Sequence, residues 1–119
     1  MKPHWMDWIS LESSNAHYSV YVIELSHDVL REKKFRDKNP EYKTGMKCLY
    51  VGATGLDPII RFEKHKAGIK SNVYVQKYGI KLLPNLYEKY NTMEYEECWQ
   101  KEKELAAELR ILGFAVWSA

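Results

Sequence analysis

At 119 residues, 45% hydrophobic and 29% charged, the chain has the composition of a single soluble globular domain. That excludes a disordered polymer and leaves no room for two separately cored domains. A net charge of +2 is too weak to announce nucleic-acid binding by itself. No apolar run approaches the roughly 18–20 residues of a membrane span, and the polar, aromatic start over residues 1–8 has no signal-peptide core.

Residues 18–25 are β-branched and aromatic and predict a first strand. Residues 27–47 are polar, with Asn39-Pro40 and Thr44-Gly45 as breakers. They read as a connection with one short helical turn near 29–35, outside the core. A second strand is predicted over 47–51, followed by a turn from Gly52 to Gly55. Asp57 then fits an N-cap and Pro58 the first helical position, for a helix reaching Ala67 and stopping at Gly68. A short helix is expected over 72–78. Residues 80–86 carry Pro84 and suit an edge strand. The longest helix is predicted over 92–112, with Thr92 at its cap, and residues 114–117 form a closing strand or tail.

Two features carry chemistry. Arg61 and His65 lie four residues apart, so on a helix they share a face. In the last helix the apolar stripe of Cys98 or Trp99, Leu105, Ala106, Leu109 and Leu112 is interrupted by Glu102. A carboxylate on a buried face is costly unless a metal ion or a cationic partner meets it, and a glutamate at the stripe's edge that reaches water is the plainer alternative. Glu104, nearer the solvent face, is the fallback ligand. From Arg61 to Lys81 six cations face only Glu63, whereas 94–108 holds six glutamates against Lys101 and Lys103. That suits a phosphate-binding face beside an acidic helix, or two ordinary amphipathic surfaces. Cys48 and Cys98 fit buried free thiols of a reducing cytoplasm better than a disulfide or zinc site. His4, His17 and His27 lack metal-ligand spacing. Trp5 and Trp8 fit an aromatic plug over the sheet better than a base-stacking pair.

Ser19-Val20-Tyr21, Tyr50-Val51-Gly52, Thr54, Arg61, His65 and a late helical glutamate occur in an order that resembles the GIY-YIG nuclease family. The resemblance runs from about Tyr18 to Trp117, nearly the whole chain, which is read as one domain, 1–119, with an insertion at about 24–47. It implies an α/β (α+β) fold with a small antiparallel sheet of about three strands flanked by helices. It also implies a metal-dependent endonuclease hydrolysing DNA phosphodiester bonds with Mg²⁺ or Mn²⁺, in repair or recombination. By the same resemblance Tyr21 is the candidate general base, Tyr50 orients water or phosphate, and Arg61 holds the scissile phosphate. His65 hydrogen-bonds the nucleophile and helps draw off its proton, and Glu102 ligates the metal.

Lys64, Lys66, Lys70 and Lys77 are candidate DNA contacts. Tyr74 and Tyr78 are expected to pack their helix, and Asn72 stands near enough to help position a phosphate. The expected partner is DNA, branched or flapped, with a protein partner or a second copy supplying selectivity, and no membrane. The chain departs from the family at Ser19, where a glycine is usual, in the long connection between the triplets, and in having no asparagine after the last helix. A catalytically impaired binding module on the same fold is therefore the alternative.

Overall fold

The computed structural model describes residues 16–119, so Trp5, Trp8 and His4 lie outside the described residues. The core is a four-stranded sheet in the order β3-β1-β2-β4. β1 (Ser19–Leu25) and β2 (Cys48–Thr54) form its centre, antiparallel in the register Tyr21↔Gly52 and Ile23↔Tyr50. β3 (Gly79–Leu82) lines the outer edge of β1, and Pro84 ends it there. The expected α+β fold, a small sheet flanked by helices, is present, and its sheet differs from expectation on two points. Residues Ala115–Ser118 form a fourth strand, β4, and it runs parallel to β2.

Gly52 does not turn the chain as expected. It lies inside β2, directly opposite Tyr21. The outer edge of β1 beyond β3 is completed by other groups. Tyr18 exchanges two backbone bonds with Met93, and the side-chain amide of Asn91 bonds both the N–H and the carbonyl of Val20. Both central strands are buried almost throughout, which explains their near-continuous apolar sequence.

The connection after β1 is a core element, contrary to expectation. It holds a 3₁₀ turn (His27–Arg31) and α1 (Lys33–Asp37), and Val29 and Phe35 are fully buried. Phe35 stacks on Trp117 of β4 and meets Tyr74 edge-on. Asn39, also buried, donates to the Phe35 carbonyl and accepts the Val116 N–H at 2.7 Å. One amide therefore ties the connection to the edge strand. Asn39→Ala strands a buried N–H and a carbonyl, and about 2–3 kcal/mol of stability should be lost in urea unfolding.

α2 (Pro58–Lys66) starts as its sequence predicts, with Asp57 accepting the Ile59 N–H and Pro58 in the first turn. It ends at Gly68, whose φ of 81° suits glycine alone among common residues. α3 (Val73–Tyr78) is capped by Asn72, which accepts from the Tyr74 and Val75 amides. α4 (Tyr95–Ile111) begins after Glu94, not at Thr92. Its buried stripe is Cys98, Glu102, Leu105, Ala106 and Leu109, while Trp99 and Leu112 are exposed.

Candidate active site

Tyr21 and Tyr50 sit on neighbouring strands two positions out of register, so their side chains share one face of the sheet. Their ring centroids are 6.1 Å apart. Gly52 makes room for this arrangement: a Cβ there would come within 2.5 Å of Tyr21 Cζ and Oη. The Tyr21 ring thus lies across bare backbone, a placement that any other residue opposite would block.

His65 reaches the same space from the last turn of α2 and is completely buried. Its Nε2 lies 2.8 Å from the Tyr21 hydroxyl, and its ring meets Tyr50 edge-on at 5.5 Å. The Asn72 backbone N–H donates to Nδ1 at 3.2 Å. A backbone amide can only donate, so Nδ1 carries the lone pair and the neutral ring keeps its proton on Nε2. His65 therefore donates to Tyr21. In this tautomer it can stabilise a phenolate there, and its Nε2 does not accept the phenol's proton. Burial, reinforced by Arg61, lowers its pKa to about 4, so the donating neutral ring persists at neutral pH.

Arg61, one turn before His65, is half-buried. Its guanidinium bonds the carbonyls of Ile69 and Lys70 at 3.3 and 2.8 Å. The loop that follows α2, with Gly68 and Lys70 both at positive φ, turns those carbonyls toward it. Arg61 has no carboxylate partner among the described residues, so its orientation is fixed while its charge stays uncompensated. That charge reaches Tyr21, Tyr50 and His65.

Glu102 is only 1% exposed, and its Oε2 has no hydrogen-bond partner among the described residues. Burial raises its pKa to about 7, against a small opposing pull from Lys103. Its charge is felt at both tyrosines. Burial first, then the Tyr50 phenol, with Glu102 adding a little, holds Tyr21 far above the ordinary phenol range despite Arg61. Tyr50 is raised by burial and by Glu102. In the protein as it stands, Tyr21 is a neutral phenol.

The fallback Glu104 is exposed and pairs with Lys101 at 3.2 Å, so it faces solvent rather than the site. Among the described residues no group of three or more His, Cys, Asp or Glu side chains gathers to cage a metal. The single orphaned carboxylate oxygen nevertheless suits a hard cation that keeps most of its ligands as water and phosphate oxygen.

The candidate DNA lysines divide. Lys66 is bound to the carbonyls of Gln76 and Gly79, and Lys77 pairs with Glu32, so both are engaged within the fold. Lys64 and Lys70 remain without such partners among the described residues. Tyr74 packs against Phe35 and Trp117, and Tyr78 donates to Glu32 at 2.6 Å, both holding α3 in place as expected. Cys48 and Cys98 are buried free thiols. His17 stacks on Tyr18, and His27 lies 3.1 Å from the Met46 carbonyl.

Sequence reasoning missed the Asn72 amide as the group that fixes the imidazole. Its side chain as the cap of α3 was legible, but the approach of its N–H to His65 depends on the path of the loop. No family model, curated protein or solved structure matches the chain, and no described helix is long and apolar enough to cross a membrane.

Proposed function

We propose that the protein is a metal-dependent endonuclease that hydrolyses DNA phosphodiester bonds, of the GIY-YIG type its sequence resembles. One observation carries the reading: a buried carboxylate and a pinned guanidinium, neither with an opposite charge, flank a hydrogen-bonded phenol–imidazole pair. Uncompensated charges of both signs around one space are costly. A phosphate with its counter-cation would satisfy both.

In this reading Arg61 binds the non-bridging oxygens of the scissile phosphate and the charge that builds on them. Glu102 holds Mg²⁺ or Mn²⁺, which when bound supplies an acidified water and charge neutralisation. Tyr21 must first lose its own proton to solvent, which a bound cation would favour, and as the phenolate it then accepts the proton of the attacking water. His65 Nε2–H stabilises the phenolate before that transfer, and Tyr50 orients the water. Lys64 and Lys70, without partners among the described residues, would meet flanking phosphates. Branched or flapped DNA in repair or recombination, cytoplasmic residence, and a protein partner or second copy belong to the same proposal. The two buried thiols support the reducing compartment.

Arg61→Ala should reduce Mg²⁺-dependent nicking of supercoiled plasmid by about 10²–10³-fold while circular dichroism stays unchanged. Full activity in that variant would sink the proposal. A second reading draws on the neutral Tyr21: a module that binds nucleic acid without cutting it. Binding by gel shift, with no cleavage of any DNA form in Mg²⁺ or Mn²⁺, selects that reading.

A further inference from the structure

A charged hollow lies away from Tyr21 and Tyr50, where the end of α4 meets α1 and β4. A cleft of about 450 Å³ opens between the segment after α1 and the end of α4, with Lys38, Lys43 and Arg110 on its wall against the single acid Glu41. Tyr42 and Phe114 give it flat apolar sides. A smaller cavity of about 270 Å³ adjoins it and shares Lys38 and Arg110, adding Trp117 and Ser118.

Arg110 donates one bond to the Val116 carbonyl at 2.9 Å, and its Nε is buried with no partner among the described residues. Neither Arg110 nor Lys38 has an acidic partner among the described residues. A guanidinium partly withdrawn from water and left short of hydrogen bonds is poised for an anion, and its planar fork matches phosphate. The cleft volume is that of a small-molecule site.

We infer that Lys38 and Arg110 bind the phosphate of a nucleotide whose base lies between Tyr42 and Phe114. The nucleotide is either a free one or part of a nucleic-acid strand. Arg110 stands eight residues beyond Glu102 on α4, about 12 Å along the helix axis. A strand held at the first site can therefore reach the second. That strand form rests on the proposed nuclease function, whereas the phosphate site itself does not.

The test is ¹⁵N-resolved NMR of the full chain titrated with AMP, adenosine and a short single-stranded oligonucleotide. AMP should move the Arg110 Nε–H and Ser118 amide signals saturably, and adenosine, which lacks the phosphate, should leave them still. Lys38→Gln, at an exposed position that leaves the fold intact, should weaken AMP binding about fivefold. Arg110→Gln should abolish it. Movement at lower oligonucleotide than AMP concentration, together with shifts of the His65 ring, identifies a strand spanning both sites. AMP acting at equal or lower concentration identifies a free nucleotide. Either result upholds the site, even in a protein that cuts no DNA. Silence with both phosphate ligands, equal shifts with adenosine, or undiminished AMP binding by Lys38→Gln overturns it.

Discussion

Glu102→Gln should gain about 3 kcal/mol of stability over the wild type as pH rises from 4.5 to 8, while losing Mg²⁺-dependent cleavage altogether. The sign follows from the raised pKa of about 7 in the folded protein. The unfolded chain releases the Glu102 proton near 4.5, but the fold keeps it until about 7, so folding binds a proton between those values. Stability from this group is complete below pH 4.5 and is lost as pH climbs through 7. Glutamine cannot ionise and escapes that loss. Urea unfolding of both proteins across this range measures it, and parallel curves would mean that the Glu102 carboxylate is solvated or paired. Added Mg²⁺ should stabilise the wild type at pH 8 and leave Glu102→Gln unmoved, a readout independent of any cleavage.

Gly52→Ala should cost the fold several kcal/mol and disable the site at once. The new methyl would fall 2.5 Å from two Tyr21 atoms, and the neighbouring core leaves no side route for the ring. Overpacking alone costs about 1–3 kcal/mol, and loss of the buried His65–Tyr21 bond adds about 1 kcal/mol more. A lower urea midpoint together with lost nicking is the expected pair of results. Tyr21→Ala removes the ring but leaves a cavity, so the double variant should lose less stability than the two single losses added together, and should recover no activity. If the two losses simply add, the clash is not the cause.

Much of this arrangement was legible because its signals are local. Asp57-Pro58 and Gly68 bracket α2, and the four-residue spacing puts Arg61 and His65 on one side of it. Glu102 interrupts an apolar stripe, a pattern that fits a buried acid and a water-reaching one equally, and the fold decides for burial. What escaped depends on contacts distant in sequence. Gly52 looks like a strand's end until Tyr21 is seen lying across it. Phe35 and the Val29-Leu30 pair sit in polar sequence, so no periodicity marks them as core, and the aromatic partners of Phe35 are the distant Tyr74 and Trp117. The parallel pairing of β4 with β2 spans more than 60 residues and has no local signature. Lys66 and Lys77 look like free cations in sequence, and only the fold reveals the carbonyls and the carboxylate that occupy them.

The bond from the Asn72 amide to His65 makes one hydrogen a reporter for the whole site. That N–H is held by a side-chain lone pair at the entrance to α3, not by a helical carbonyl, so its exchange with deuterium reads the state of the imidazole directly. With the ring's pKa lowered to about 4, this contribution to stability is complete above pH 6.5 and is lost as pH falls through 4. Protonation of Nδ1 would then set two donors against each other and release the start of α3 before the sheet opens. Acid should therefore loosen the protein first at Asn72, and the loosening would part the loop carbonyls from Arg61 in the same step.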